Sequence, residues 1–340
     1  MSMIRLGFWP TVYGNWLYSN DSQENNASFD YVKKTVLLAE DVGFKTMLVA
    51  EHFINPYGDH LDQLDAWTSA AALAAVSEKI EIIAAVKPGF RAPGVIAKMA
   101  SNIDHISHGR FAVNLVSAWW LPEYERLGAP ILKHDDRYER SAEFIEIVRG
   151  LWTEDSYNFS GKYYAVKDAC IAPLPIQKPH PPIYIGGESL QGRTLGAKYA
   201  DVFLINGRRV EQVPEVLEHV TSLAAEAGRE APRYGIAGFV VCRDSEEEAW
   251  AEFERLAKLR NAAVSGADKE VVMMKQIREN PDNKVGSNAS SATGLVGTPR
   301  QIADRILAFH DVGIETFLLQ FHPTDEELAR FGEKVVPLLQ

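Results

Sequence analysis

Short apolar runs alternate with amphipathic stretches along the whole chain. The runs are rich in β-branched residues, as buried strands are, and the stretches between them repeat their apolar residues with a helical period. This alternation predicts parallel strands covered by helices. The predicted strands are eight in number: Ile4–Trp9, Thr46–Ala50, Ile80–Val86, Phe111–Val116, Ile183–Gly186, Val202–Ile205, Tyr234–Val241 and Thr316–Gln320.

Helices are predicted between these strands, and one more follows the last strand. The start at Thr298-Pro299 is well marked, because Thr caps free backbone amides and Pro loses no hydrogen bond in the first turn. Eight strand-then-helix units favour a closed (β/α)8 TIM barrel with insertions over a doubly wound open sheet. The predicted helices are Tyr31–Val42, Asp65–Val76, Gly94–Ile106, Asp136–Trp152, Leu190–Tyr199, Val213–Ala227, Glu246–Leu259, Pro299–Asp311 and one that begins at Asp325.

Two segments interrupt the alternation. Residues 156–175 predict a short β excursion, because aromatic runs flank the turn Ser160-Gly161-Lys162. Residues 262–294 lack apolar periodicity and end in a run of Gly, Ser and Ala. A loop of this kind is either a mobile lid over an active site or an insertion without function. We expect the 340 residues to form one barrel domain with an insertion near 156–175 and a mobile lid near 262–294.

Composition narrows the class of protein. The formal net charge is −11, which argues against broad attraction to nucleic acid or anionic membranes but leaves room for a local basic pocket. No apolar run reaches the roughly 18 residues of a membrane helix. Cys170 and Cys242 are far apart and form no CxxC motif, as is typical of a reducing compartment. We therefore expect a cytoplasmic protein that binds neither nucleic acid nor membrane.

Candidate chemistry follows the carboxyl ends of the predicted strands, which share one mouth in a closed barrel. The side chains there are mostly polar and aromatic, and this suits a planar cofactor better than a hydrolytic site. They are Glu51-His52-Phe53, Lys87-Pro88, Ser117-Ala118-Trp119-Trp120, Gly186-Gly187-Glu188-Ser189, Asn206-Gly207-Arg208-Arg209 and Phe321-His322-Pro323.

The turn at Gly186-Gly187 is a candidate phosphate site. It enters a helix, where glycines let backbone amides approach an anion and the helix terminus adds partial positive charge. A tight turn without a ligand explains the same residues, and Glu188 beside a phosphate is repulsive unless it points away. Candidates for direct phosphate contacts are Arg137, Tyr138 and Arg193.

Other positions have two interpretations each. His52 is either a core histidine bonded to a neighbour or a cofactor contact. Asn114 interrupts an apolar strand, so its buried amide needs a partner, which is either another strand or a ligand. Trp119 and Trp120 are either core anchors or walls of an apolar cavity.

Several kinds of site lack their motifs. The chain has no GxSxG elbow, no P-loop and no GxGxxG pattern. Local clusters such as His134-Asp135-Asp136 have neither HExxH spacing nor cysteine partners, so we predict no metal site.

One continuous segment resembles a known family signature. Residues 103–117, Ile-Asp-His-Ile-Ser-His-Gly-Arg-Phe-Ala-Val-Asn-Leu-Val-Ser, match the IDxxSxGRxxxNxV pattern of bacterial luciferase-like flavin monooxygenases. Within this family the chain resembles the dimethyl sulfone and alkanesulfonate monooxygenases, and also the pyrimidine monooxygenase. Further matches are HDDRYERSxEF from 134, FxGxYY from 159, PxPxQKPHP from 173, GGxS from 186 and LVGTP from 295.

The resemblance implies a TIM barrel that uses O2 and reduced FMN, delivered by a separate NAD(P)H:flavin reductase. In such a two-component enzyme a peroxyflavin oxygenates a small organic substrate, and the members are commonly homodimers or homotetramers. Two residues have expected catalytic roles: His52 stabilises or protonates the peroxide because its ordinary pKa lies near neutral pH, and Asn114 orients the flavin edge. Matching positions imply cofactor contacts from Glu51, His52, Asn114, Glu123, Arg137, Tyr138, Gly187 and Ser189.

The same resemblance bears on the substrate, which we expect to be a small sulfur compound such as dimethyl sulfone or an alkanesulfonate. Residues 235–240 lack the Arg-x-His of alkanesulfonate enzymes, and 285–293 contain no Arg. A neutral substrate is therefore favoured, although Arg208 and Arg209 leave an anionic one open. Alternatives are a ring-opening pyrimidine-type enzyme acting on a cyclic amide, a deazaflavin-dependent hydride-transfer oxidoreductase and a non-catalytic flavin-binding relative. The expected substrate pocket consists of Trp119, Trp120, Phe239 and Phe321.

Overall fold

The computed structural model of the protein describes residues 3–12, 27–56, 61–117, 120–264 and 290–339. The strands within these ranges, in chain order, are β1 (Arg5–Phe8), β2 (Thr46–Val49), β3 (Glu81–Val86), β4 (Phe111–Leu115), β5 (Tyr157–Ser160), β6 (Ala165–Ala169), β7 (Ile183–Gly186), β8 (Val202–Ile205), β9 (Arg233–Phe239), β10 (Val241–Cys242), β11 (Val296–Gly297) and β12 (Ile314–Gln320).

Eight of these described strands are parallel and form a closed barrel, in the order β1-β12-β9-β8-β7-β4-β3-β2. Strand β1 pairs with β12 on one side, Gly7 with Leu318, and with β2 on the other side, Gly7 with Thr46. The sheet therefore has no free edge. The predicted (β/α)8 TIM barrel is confirmed, and the open doubly wound sheet is wrong.

Helices follow the strands and cover the outside of the barrel. The short helix α4 is the one element of this set that the sequence pattern did not predict. In the described ranges, no helix has the length and apolar character needed to span a membrane. The helices are α1 (Phe29–Asp41), α2 (Ala66–Val76), α3 (Pro93–Ile106), α4 (Leu121–Arg126), α5 (His134–Thr153), α6 (Leu190–Tyr199), α7 (Val213–Glu226), α8 (Glu246–Val264), α9 (Pro299–Asp311) and α10 (Thr324–Lys334).

Local sequence explains where several helices begin. The Thr298 hydroxyl accepts a hydrogen bond from the Gln301 N–H, and the Gln301 side chain accepts from the Thr298 N–H at 2.9 Å. This reciprocal pair satisfies amides that the first turn of α9 leaves free. Asp65 caps α2 by accepting from the Thr68 N–H at 2.8 Å.

The two faces of each barrel strand differ. Apolar side chains on the outer face pack against the helices and form the main core. At the amino ends of the strands the inner face is polar: Tyr184 donates to Glu81 at 2.6 Å, and Arg5 lies 3.1 Å from the same carboxylate. Because β1, β3 and β7 are not neighbours, these three side chains meet across the barrel interior. A ligand site is therefore left to the opposite end, where the strands have their carboxyl termini.

The predicted strand Tyr234–Val241 is wrong at its end. Strand β9 stops at Phe239, and the Val241 N–H donates to the Leu295 carbonyl at 2.9 Å, so β10 pairs with β11 outside the barrel. The apolar sequence continues without a break across this change of partner.

Two further expectations concern segments outside the barrel. Residues 156–175 contain the antiparallel pair of β5 and β6. Trp119 and residues 265–289, which make up most of the expected lid, lie outside the described residues.

Candidate active site

Five ionisable side chains meet at the mouth of the barrel, where β2 and β3 end and α4 begins. The Lys87 ammonium lies 2.9 Å from Nδ1 of His52 and 2.5 Å from Oε2 of Glu123. Glu51 accepts from the Lys87 N–H at 2.6 Å and pairs with the Arg91 guanidinium. Lys87, Glu51, His52 and Glu123 are all buried. One buried ionic network therefore joins three elements around the mouth.

Glu123 also holds the chain segment that follows β2. It lies in the first turn of α4, and its Oε1 accepts from the backbone N–H groups of Phe53 at 2.5 Å and Ile54 at 3.4 Å. The neighbouring Tyr124 hydroxyl donates to the Pro88 carbonyl at 3.0 Å. These bonds fix the loops after β2 and β3 relative to α4.

Burial and ion pairing shift the pKa values of this network in different directions. Burial, together with the charge of Lys87, lowers the pKa of His52 to about 4. Burial opposes ionisation of Glu123, but its contacts with His52 and Lys87 outweigh that and lower its pKa to about 2. Burial raises the pKa of Glu51 to about 7 against the opposing charges of Arg91 and Lys87. At pH 7 His52 is therefore neutral and Glu123 is ionised.

This geometry corrects the expected chemistry of His52. The expected role of His52 as a proton donor starts from its ordinary pKa near neutral pH, and burial lowers that pKa to about 4. With this pKa the His52 ring is not an imidazolium at pH 7 and has no second proton to give up. At pH 7 the His52 ring at the mouth is therefore neutral, and its Nδ1 lies 2.9 Å from the Lys87 ammonium.

Asn114 lies on β4 and points into the barrel interior. It is opposite Tyr184 in the register of β4 and β7, and Tyr184 has its hydroxyl inside the barrel. The Asn114 Oδ1 atom is buried and accepts no hydrogen bond within the described part of the chain. A buried carbonyl without a donor is costly, so this position favours a ligand over a bond to a neighbouring strand.

The turn after β7 packs closely against the first turn of α6. A Cβ on Gly187 would lie 3.0 Å from Cα of Gly192, so a larger residue does not fit without movement. The same Cβ position lies 3.5 Å from the hydroxyl of Tyr138, which brings α5 to the turn. Ser189 caps α6, since its hydroxyl accepts from the Gly192 N–H at 3.1 Å. Its own proton is left to donate to a second group.

Charged residues beside this turn pair with one another. Glu188 accepts from Arg208 at 2.5 Å and from the Asn206 N–H at 3.0 Å. Arg193 lies 3.7 Å from the second Glu188 oxygen and 2.9 Å from Nδ1 of His219. The expected phosphate contact from Arg193 is wrong, because its guanidinium turns to Glu188 and His219.

The predicted pocket aromatics lie in different surroundings. The Trp120 ring lies with its centroid 6.0 Å from that of His52 in an edge-on arrangement, so it does border the mouth. Phe239 has no exposed surface and belongs to a second apolar cluster with α8 residues such as Phe253. Trp119 is outside the described residues.

Phe321 is not a pocket residue, and that prediction is wrong. Its ring centroid lies 6.1 Å from that of Phe44 and 5.5 Å from that of Phe331 on α10. It therefore packs in the core outside the barrel. The reason is the strand period, because Phe321 continues the outward-facing positions of β12.

Most of the signature at residues 103–117 serves the fold. Asp104 accepts from the Gln177 N–H at 3.0 Å and from its side-chain amide at 2.7 Å. Arg110 donates to the Ile80 carbonyl at 2.8 Å. These bonds anchor the segments that lead into β7 and β3, and they leave Asn114 as the signature residue aimed into the barrel.

The sequence places Lys87 among the residues at the strand ends but gives it no partner, and it does not indicate Arg91 as a site residue. A signal existed for Lys87, because a lysine directly after an apolar strand of a closed barrel must meet an anion when it is buried. Arg91 carries no such signal. Its partners Glu51 and Asp65 come from elements that only the closed barrel brings together.

Comparisons with known proteins agree with this architecture. The family model described as luciferase-like monooxygenase matches residues 8–316. The FMNH2-dependent dimethylsulfone monooxygenase of Pseudomonas putida is 36% identical over 348 residues, which covers 99% of this chain and 95% of the relative. The enzyme of the same name from Pseudomonas fluorescens (strain Pf0-1) is 34% identical over 355 residues, covering 99% and 94%.

A solved structure shows that the fold is shared. The crystal structure of a long-chain alkane monooxygenase superposes with a TM-score of 0.82 at 20% identity, covering 100% of this chain and 92% of that chain. The family model spans most of the chain, and two full-length relatives exceed 30% identity. This protein therefore belongs to the luciferase-like monooxygenase family.

Proposed function

We propose that this protein is the oxygenase of a two-component system, which uses reduced FMN and O2 to oxygenate a small neutral sulfur compound such as dimethyl sulfone. A separate NAD(P)H:flavin reductase supplies the reduced FMN. Two relatives named as FMNH2-dependent dimethylsulfone monooxygenases, each matched over nearly the whole chain, support this proposal. The structural observation that carries it is the buried Asn114 carbonyl, which has no donor among the described residues.

The residues at the mouth fit a flavin mononucleotide. The pyrimidine edge of a flavin presents a ring N–H between two carbonyl groups, so it complements the carbonyl and amide of Asn114. At the other end of the site, the Gly187 turn, the Ser189 hydroxyl and the amino terminus of α6 offer donors to a phosphate. Further proposed contacts on this side are Arg137 and Tyr138.

Glu51 and Glu123 have a different proposed part in binding. Their carboxylates are engaged by Arg91 and Lys87, so they hold the wall of the site rather than offering a free acceptor. His52, between them in this network, is the member that presents a neutral ring to the ligand.

The chemistry is divided between cofactor and protein. When bound, reduced FMN supplies the electrons and the oxygen-activating chemistry. Asn114 orients the flavin edge, and the neutral His52 ring holds a hydrogen bond at the mouth. Trp120 borders His52 and keeps water from that side of the site.

The charges near the mouth favour a neutral substrate. Strand β9 carries no cationic side chain after Arg233, which lies at its amino end, away from the mouth. Arg208 is paired with Glu188 at 2.5 Å, so its charge is not free for an anion. Neither β9 nor Arg208 therefore offers a free counterion to a sulfonate, which would lose its hydration on binding here.

A coupled assay tests the proposed function. The purified protein is incubated with a flavin reductase, NADH, catalytic FMN and one of three substrates, and products are identified by mass spectrometry. We expect turnover of dimethyl sulfone and little of methanesulfonate or uracil. Ring opening of uracil, or activity that requires a deazaflavin in place of FMN, would contradict the proposal.

A further inference from the structure

Lys87 makes two contacts that determine how His52 is protonated. Its ammonium lies 2.9 Å from Nδ1 of His52 and 2.5 Å from Oε2 of Glu123, and its side chain is 2% exposed. Burial lowers the pKa of Lys87, and its contact with the Glu123 carboxylate opposes that shift. Paired with this carboxylate, the side chain is an ammonium, which donates hydrogen bonds and accepts none. Nδ1 of His52 must therefore be the acceptor, and the single proton of the neutral ring lies on Nε2.

A buried histidine more commonly donates Nδ1–H to a carboxylate. Here the Lys87 ammonium lies at Nδ1 instead. The nearest carboxylate oxygen to Nδ1 is Oε1 of Glu123 at 3.5 Å, which is longer than a good hydrogen bond. That oxygen already accepts from the Phe53 N–H at 2.5 Å. The Lys87 ammonium lies closer to Nδ1 than Oε1 of Glu123 does, and it also contacts Oε2 of Glu123.

The charged groups around His52 come from three elements. Lys87 follows β3, Glu123 belongs to α4, and Glu51 precedes His52 in the chain and is itself paired with Arg91. Lys87 and Glu123 neutralise each other, so the ring meets a balanced pair rather than a net negative charge. Burial and the adjacent ammonium oppose protonation of the ring more strongly than Glu123 favours it, and the pKa of His52 falls to about 4.

We propose that Lys87 is a positioning residue that holds His52 in the neutral Nε2–H tautomer, with Nδ1 facing the Lys87–Glu123 pair. Without Lys87, the ring would instead donate Nδ1–H to Glu123 or take up a second proton. The tautomer stands on the geometry of the free protein alone. Only the part that His52 has in the reaction rests on the proposed function.

The tautomer is measured directly by long-range 15N–1H NMR of the ligand-free protein labelled at histidine. The His52 signals are assigned by their loss in His52→Gln. We expect the Nε2–H pattern between pH 5.5 and 8, with Nδ1 in the position of an acceptor. An Nδ1–H pattern, or an imidazolium at pH 7, would overturn the proposal without any variant of Lys87.

Variants of Lys87 separate positioning from a general structural role. In Lys87→Met we expect the tautomer to change or the apparent pKa of His52 to rise by at least one unit, and in Lys87→Arg the Nε2–H pattern should persist. Lys162→Met removes a different ion-paired lysine, on the exposed β5–β6 hairpin, and should leave the His52 signals unchanged. A folded Lys87→Met with wild-type His52 signals would contradict the proposal.

The test of the His52 tautomer does not depend on whether the protein binds FMN. Binding of reduced FMN to the wild-type protein is measured separately by anaerobic titration. If FMN fails to bind while His52 keeps the Nε2–H pattern, the proposed function is wrong and the role of Lys87 is retained. If FMN binds and the pattern is Nδ1–H, the role of Lys87 is wrong and the proposed function is retained.

Discussion

Glu188 and Arg208 form an ion pair with 2.5 Å between a carboxylate oxygen and a guanidinium nitrogen, at the turn that leads into Ser189. Arg193 lies 3.7 Å from the other carboxylate oxygen. The turn proposed for the flavin phosphate therefore has one negative and two positive charges beside it. Both guanidinium groups face Glu188, so a phosphate placed here meets the repulsion of a carboxylate whose cationic partners are already engaged.

Glu188→Gln should strengthen binding of reduced FMN about three- to tenfold, because removing a like charge near the surface relieves roughly 1 kcal/mol of repulsion. Gln keeps an oxygen that can accept from the Asn206 N–H, as Glu188 does at 3.0 Å. Anaerobic fluorescence titration measures the change. Riboflavin, which has no phosphate, is the control and should bind both proteins equally. Weaker FMN binding, or an equal change for both ligands, would count against the phosphate position.

Ser189→Ala should have two effects that a second variant separates. Ser189 and Thr298 both cap helices through their hydroxyls, so replacing either by Ala should lower the free energy of unfolding by about 1 kcal/mol. Ser189→Ala should also weaken FMN binding about three- to tenfold, because a donor to the phosphate is lost. Urea unfolding and flavin titration measure the two effects. Equal FMN affinity in the Ser189→Ala and Thr298→Ala proteins would remove Ser189 from the site.

Asn114→Leu should separate stability from binding. The substitution replaces a buried amide, whose oxygen has no donor in the described structure, by an apolar side chain of similar size. The free energy of unfolding of the ligand-free protein should stay the same or rise by about 1 kcal/mol, since an unsatisfied polar group is removed. FMN affinity should fall at least about tenfold, because a hydrogen-bonded amide contact is lost. A variant destabilised by more than about 2 kcal/mol would mean that Asn114 is a structural residue.

The neutral state of His52 predicts a loss of stability in acid. Its pKa is about 4 in the folded protein and about 6.5 in an unfolded chain, so between these values the unfolded chain binds a proton that the folded protein does not. The free energy of unfolding should therefore fall as the pH is lowered from 6.5 to 4. Above pH 6.5 the contribution of His52 is fully present.

Urea unfolding between pH 4.5 and 7 measures this slope. In His52→Gln the slope should be smaller by about one bound proton, and the Gln carbonyl can still accept from Lys87. Thr298→Ala removes a helix cap but no ionisable group and should keep the wild-type slope. Parallel curves for the wild type and His52→Gln would show that His52 is not held neutral.

The barrel and many residues of its mouth can be predicted from the sequence, because they depend on the local pattern of apolar and polar residues. Most apolar runs end where the strands end, with β9 as the exception, and Asn114 stands out because a polar residue breaks an apolar run. The signature around it is conspicuous for a different reason, since Asp104 and Arg110 hold backbone segments that lead into two strands. Gly187 and Ser189 are recognisable from the turn alone.

The remainder depends on contacts between distant segments. Lys87 meets His52 and Glu123 only after the barrel closes and α4 folds over its mouth. Arg193 follows the Gly186-Gly187 turn in the chain, as a residue that contacts a phosphate there would. In the structure its guanidinium lies against Glu188 and His219 instead. No local pattern encodes the partner that a long flexible side chain selects.

The most direct test of the proposed function is a single-turnover reaction in 18O2. Protein loaded with photoreduced FMN is mixed with dimethyl sulfone and labelled oxygen, and the organic products are analysed by mass spectrometry. We expect one 18O atom in the organic product, with reduced label in the Asn114→Leu protein. Complete recovery of the label in hydrogen peroxide and water, with dimethyl sulfone unchanged, would contradict it.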